Sequence, residues 1–181
     1  LYKFLREMEF NRLLSSVISA YGQPELGEIL REIKPEKKQQ NISKKNYHLI
    51  TNEKEINEWI NEAEEAGELA IDTETSSLDA HQADLVGISL STKIGKACYI
   101  PIGHKFKGCL KKEAVIKKLK PLLEDKSVKK IGQNIKFDFI VLFKQGINMN
   151  SMEDTMLMSY VLDAGKNRHN MDILSEIHLQ H

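Results

Sequence analysis

ELAIDTE at residues 68–74, DLVGISLST at 84–92 and KACYIPI at 96–102 decide the fold of this chain. Each is a short run of branched, aliphatic and aromatic residues bounded by turn-forming ones, which is the pattern of a β-strand. The connections between the three are too short for a parallel crossover, so an antiparallel set is expected. Ahead of them, YHLIT at 47–51 reads as a further strand. Asn52 then reads as a helix cap with Glu55 three places on, and Ile56, Trp59, Ile60 and Ala63 as the helix's apolar stripe. Behind them the pattern predicts a helix near 111–124 that Pro121 kinks or restarts, and the strand VKKIG at 128–132. A helix over 135–144 ended by Gly146 follows, then helices near 153–163 and 170–178. Strands alternating with helices make an α/β layer fold, a mixed sheet flanked by helices.

The first 46 residues read differently. Leu5, Met8, Leu13, Val17 and Ala20 fall near helical spacing and predict one amphipathic helix over 1–21. Residues 22–46 are polar, hold two prolines and end in a Lys/Gln/Asn-rich run, so they are expected to be a linker. A chain of 181 residues that is 41% hydrophobic has room for one domain and an appendage. It opens on Leu1 rather than Met and is expected to be a piece of something longer. No apolar run approaches the roughly 18 residues of a membrane span, so no membrane partner is expected. Cys98 and Cys109 lack metal-ligand spacing, which fits free thiols in a cytosolic protein rather than a zinc site or disulfide framework.

Net charge is zero, which excludes a strongly basic, non-specific nucleic-acid binder. The balance hides an asymmetry: residues 53–84 hold eleven acids and one base, and residues 104–136 hold eleven lysines and three acids. The acidic part suits cations and the basic part phosphate, although solvated helix faces give the same composition. Within the acidic part, Asp72 and Glu74 lie two apart at the end of an apolar strand, so both side chains leave one face. Paired carboxylates suit Mg²⁺ or Mn²⁺, hard cations that take oxygen ligands; an exposed strand end also carries such a pair by chance. Asp138 sits among Phe137, Phe139 and Ile140 near the start of a helix, an apolar setting in which a charge wants a partner. Helix capping by Asn134 with a solvent-facing Asp138 is the bland alternative.

Together, DTETSSLD at 72–79 and GQNIKFD at 132–138 resemble the first two motifs of the proofreading exonuclease domain of bacterial DNA polymerase I. The resemblance extends through LVGIS (85–89), YIPIGH (99–104), LKPLLED (119–125), DTMLMSYVL (154–162) and RHNMD (168–172). LREMEF (5–10) is similar to the end of the 5′-nuclease domain that precedes the linker in that family. The resemblance implies a ribonuclease H-like fold over 47–181 and a 3′→5′ exonuclease acting on single-stranded or frayed DNA 3′ ends. It implies two divalent ions, Mg²⁺ or Mn²⁺, about 3.5–4 Å apart. Asp72 would bridge them, Glu74 would help hold the tighter and Asp138 the looser. Leu78 would wedge against the terminal base, Thr73 would bind DNA, and Asn134 and Phe137 would line the strand's path, with Phe137 where the family often has Tyr. Arg168, one of four arginines among 26 basic residues, would contact phosphate with its planar fork.

The family's third motif, Tyr-x-x-x-Asp, supplies a fourth carboxylate and a tyrosine that orients the attacking water. Tyr160 and Asp163 are three apart and are not that motif. The domain is therefore expected to be cut before its third motif, incomplete at the C-terminus and inactive by itself. Structural roles are expected for His104 and His169. The rest of the polymerase would be its partner in cis, in the bacterial cytoplasm at the nucleoid. Two other readings stay open: a stand-alone RNA-trimming 3′→5′ exonuclease, and a non-catalytic structural or DNA-binding module.

Overall fold

A computed structural model describes residues 1–22, 47–105, 107–165 and 168–179, which belong to two units, 1–38 and 39–181. In the first unit, α1 (Tyr2–Glu7) and α2 (Asn11–Tyr21) replace the single helix expected over 1–21. The break is a Schellman closure. Phe10 N–H donates to the Leu5 carbonyl at 2.8 Å and Glu9 N–H to that of Arg6 at 3.0 Å, with Glu9 left-handed at φ 55°. Glycine usually takes that position, and the turn brings Phe4 and Phe10 edge to face with centroids 6.3 Å apart. The linker expected at 22–46 lies, from residue 23 onward, outside the described residues.

The second unit runs β1 (Tyr47–Leu49), α3 (Glu53–Ala66), β2 (Glu68–Thr75), β3 (Leu85–Lys93), β4 (Lys96–Pro101) and α4 (Lys112–Glu124). It continues with β5 (Lys129–Gly132), α5 (Ile135–Lys144), β6 (Met152–Asp154), α6 (Thr155–Asp163) and α7 (Met171–Leu179). Asn52 caps α3 by accepting from Lys54 N–H at 3.0 Å, and Gly67 ends it left-handed at φ 69°. The strand order is β1-β4-β3-β2-β5-β6. β2–β3 and β3–β4 are antiparallel, as their short connections require. β1 is parallel to β4, and β5 is parallel to both β2 and β6, so the sheet is mixed.

Two expectations need correction. Residues Met152–Asp154 form a strand rather than the start of a helix, and α6 begins at Thr155. Their hydrogen bonds go to β5, a pairing that no local pattern in three residues announces. Pro121 does not restart α4, which runs as one helix through it to Glu124.

Alternation along β2 sends Leu69, Ile71 and Thr73 to one face, where all three are buried. That face meets Ile56, Trp59 and Ala63 of α3, Val115 and Leu119 of α4, and Val141 and Leu142 of α5 in one apolar cluster. The other face of β2 carries Ala70, Asp72 and Glu74. Its cross-strand neighbours are small: Ser91, Ser89 and Gly87 on β3, and Ala97 beyond Ser91 on β4. α6 and α7 stand over this face and leave a groove of about 670 Å³ between themselves and the strands, with Asp72 among its lining residues.

Candidate active site

β2 pairs with β5 only from Glu68 to Ala70. Beyond Ala70, β2 continues beside β3, while the chain leaving β5 at Gly132 enters α5. The two strands therefore part at their carboxyl ends. A crevice of this kind, outside the strand ends and between neighbours whose connections diverge, is where open α/β sheets bind ligands.

Asp138, in the first turn of α5, reaches this crevice from the core side and is only 2% exposed. Its Oδ1 accepts from Thr73 N–H at 2.9 Å and from the Thr73 hydroxyl at 2.6 Å. The parting of β2 from β5 leaves that backbone N–H for a side chain to satisfy. Burial pushes the Asp138 carboxyl up from 3.8 to about 6; the bond from the Thr73 hydroxyl opposes the rise and the negative charge of Asp72 adds to it. Asp72, half-buried, is also pushed up, first by burial and then by Glu74. Glu74 itself is exposed.

Asp72 thus stands electrostatically between Glu74 and Asp138. Among the described residues, no three His, Cys, Asp or Glu side chains converge closely enough to hold a metal ion. One Asp138 oxygen is taken up by Thr73. The donor set nonetheless suits a hard divalent cation: all ligating atoms are oxygens, and a cation would offset both the burial and the repulsion that disfavour the two aspartates as anions.

The other expected residues are distributed as follows. Thr73 is 7% exposed and its hydroxyl donates to Asp138, so its side chain braces that carboxylate. Leu78 is 97% exposed at the tip of the β2–β3 loop. The loop beneath it is tied: Ser76 N–H donates to the Asp84 carbonyl at 3.0 Å, Asp84 N–H to Ser76 Oγ at 2.9 Å, and Lys144 Nζ to the Ala83 carbonyl at 2.8 Å. Asn134 is left-handed at φ 56°, and Phe137 is half-buried against the core. Arg168 is exposed, next to His169.

The capping role weighed for the Asn134 side chain belongs instead to Asp154, which motif reading passed over as a role-bearing residue. Its carboxylate accepts from Asn134 N–H and Ile135 N–H, both at 3.0 Å, and also from Met156 N–H at 2.9 Å. One side chain thereby caps α5 and α6 together and fixes where α5 presents Asp138. The available signal was an aspartate directly ahead of an apolar helical run. His169 has the structural setting expected of it: it is 7% exposed, with Nδ1 2.8 Å from Ser159 Oγ and its ring 3.8 Å from that of Tyr160. Gln133 Nε2 donates to its carbonyl at 2.7 Å. His104 meets the Tyr99 hydroxyl at 2.7 Å.

Residues 47–180 match a family model described as 3′–5′ exonuclease. The chain is 38% identical over 183 residues to DNA polymerase I of Pseudomonas aeruginosa, a match covering 97% of this chain and 19% of that protein. It is 45% identical over 147 residues to DNA polymerase I of Rhizobium leguminosarum, covering 70% of this chain and 14% of that one. The chain therefore spans about a fifth or less of the length of these curated relatives. Among solved structures, Brucella melitensis NrnC with bound Mg²⁺ matches with a TM-score of 0.57 at 25% identity, covering 75% of this chain and 62% of that one. The mixed sheet flanked by helices is ribonuclease H-like. The chain belongs to the 3′–5′ exonuclease family, in the form carried by bacterial DNA polymerase I.

Proposed function

We propose that residues 47–181 act as the proofreading nuclease of a DNA polymerase I, hydrolysing the last phosphodiester of single-stranded or frayed DNA 3′ ends. The observation that carries this reading is buried Asp138 bound to the backbone and hydroxyl of Thr73, the neighbour of half-buried Asp72 on β2, at the strand ends. Asp72, Glu74 and Asp138 are the residues for two divalent ions, Mg²⁺ or Mn²⁺; Mg²⁺ is the ion bound in the NrnC structure. Such ions, when bound, activate water and stabilise the leaving 3′ oxygen. The chain's own residues hold and orient the rest. Thr73 fixes Asp138, exposed Leu78 on its braced loop meets the terminal base, Asn134 and Phe137 line the strand, and Arg168 binds phosphate. Residues 1–21 belong to the end of a preceding nuclease domain and 22–46 link it to the exonuclease. The remainder of the polymerase is the partner in cis, in the bacterial cytoplasm at the nucleoid.

Degradation of a 5′-labelled oligonucleotide by the polymerase that carries this segment tests the reading. Asp72→Ala and Asp138→Ala are each expected to slow nucleotide removal on the order of a hundredfold or more, with polymerisation retained. Wild-type rates in both variants would remove the metal roles assigned here. The likeness to NrnC, solved also with pGG bound, favours one second reading, a stand-alone exonuclease that trims RNA. Faster removal of ribonucleotides than deoxyribonucleotides from matched oligonucleotides would select it.

A further inference from the structure

Glu74 is the exposed member of the three carboxylates, a long side chain near a strand end, and on the reading above it must be aimed at a metal. Its cross-strand partner is Gly87. A Cβ added at Gly87 would fall 1.9 Å from the Tyr99 hydroxyl oxygen and 2.3 Å from Tyr99 Cζ. The phenol of Tyr99 therefore fills the space that a side chain at position 87 would take. Tyr99 is in register with Ser89, which faces Asp72, so its ring leans one pair along the sheet toward Glu74. Directly paired residues on antiparallel strands hold their Cβ positions about 5 Å apart. The hydroxyl, seated where the partner's Cβ would be, is then within reach of a glutamate carboxylate. The hydroxyl also has a partner in the structure: His104 Nε2 lies 2.7 Å away, with the two rings edge to face at 5.7 Å. Tyr99's hydroxyl is harder to ionise than usual, through burial first and the negative charge of Glu74 next, which agrees with that neighbourhood.

We propose that Tyr99, braced by His104, is a positioning residue for Glu74. Its hydroxyl accepts from His104 Nε2–H, donates to the Glu74 carboxylate and turns that carboxylate toward Asp72. Gly87 is glycine in this arrangement because any side chain would displace the phenol. The inference rests on Glu74 being a metal ligand. Partners that orient a ligand are worth on the order of tenfold or more in metal affinity.

The test uses the polymerase carrying this segment, as wild type, Tyr99→Phe, His104→Ala, His104→Gln and Glu74→Ala. Exonuclease rate is followed against Mg²⁺, Mn²⁺ binding by electron paramagnetic resonance, and DNA KM and thermal midpoint alongside. Tyr99→Phe is expected to raise half-saturating Mg²⁺ on the order of tenfold, to weaken Mn²⁺ binding in parallel, and to leave DNA KM unchanged. His104→Ala should move both metal readouts the same way, and His104→Gln, whose amide still donates, should recover most of the loss. Wild-type metal curves in Tyr99→Phe would reduce Tyr99 to packing and overturn the proposal, as would a change in DNA KM alone. If Glu74→Ala leaves both metal readouts unmoved, the ligand role of Glu74 has failed; if it moves them and Tyr99→Phe does not, only the inference has. Should Tyr99→Phe lower the thermal midpoint, Gly87→Ala keeps the hydroxyl but unseats it. The same metal shift supports the proposal, and an unchanged curve overturns it.

Discussion

At the scale of single residues, Asp138 carries the sharpest consequence. Its carboxyl is buried and held up near 6 against an ordinary 3.8, so the folded chain binds its proton more tightly than the unfolded chain does. Below about pH 4 both states are protonated. Between about pH 4 and 6 the unfolded chain releases the proton first, so stability falls as pH rises through that window, and the loss is complete above it. Asp138→Asn, which keeps an acceptor for Thr73, should therefore stabilise the metal-free chain at pH 7 by on the order of 1–3 kcal/mol. It should also flatten the pH dependence between 4 and 6. Thermal melts in chelator across that range check this, and an unchanged or lower midpoint at pH 7 would show that the buried charge is already compensated. Mg²⁺ should stabilise the wild type and not the variant, since a ligand stabilises only the state that binds it. Asp72 and Glu74 were legible in the sequence because a strand's period of two puts them on one face. The apolar neighbours of Asp138 signalled a charge in want of a partner but left a solvent-facing position open, so its burial was not legible. Nor was the turn of Thr73 toward Asp138, because that contact spans 65 positions and depends on where β5 stops.

At the scale of elements, the antiparallel set β2–β3–β4 and the helices after it could be read from local pattern, because connection length and apolar spacing are local quantities. What escaped was set by pairing or by backbone geometry. β6 exists because β5 supplies its partner, and the break after α1 rests on a left-handed Glu9 where no glycine stands to announce it. Asp154 belongs to the same class. Its carboxylate takes N–H groups from the starts of both α5 and α6, and it is 8% exposed. Asp154→Ala would leave these donors unmet in a largely buried place. Each lost cap costs about 0.5–2 kcal/mol, so a total of roughly 2–3 kcal/mol is expected. Because α5 carries Asp138, exonuclease activity should fall along with stability. Urea denaturation of the variant, read beside its nuclease rate at a temperature where it remains folded, separates the two effects. A variant that melts with the wild type would mean that water caps both helices as well as Asp154 does.

At the scale of the whole molecule, one surface is at odds with the interior behind it. α6 is apolar around much of its circumference, yet Leu157 is 57%, Val161 84% and Leu162 77% exposed, and on α7 Leu179 is 66% exposed. Helices of that composition are ordinarily covered. Leu162 and Leu179 also line the groove over the small-residue face of the sheet, so the uncovered surface and the groove are continuous. A contiguous apolar patch on a chain with no net charge favours association, since nothing long-ranged opposes the approach of two copies. In the relatives, which are about five to six times longer, other parts of the protein are available to cover such a surface. In the 181-residue chain alone, a second copy is the available cover. Sedimentation velocity should therefore show a mass that rises with concentration. The double substitution Val161→Glu with Leu162→Glu should return it to monomer while leaving far-ultraviolet circular dichroism unchanged, because both positions already face solvent. Adding salt should not dissociate the wild type, since the contact is apolar rather than ionic. A chain that stays monomeric at high concentration would mean that α6 and α7 fold down over the groove and cover it themselves.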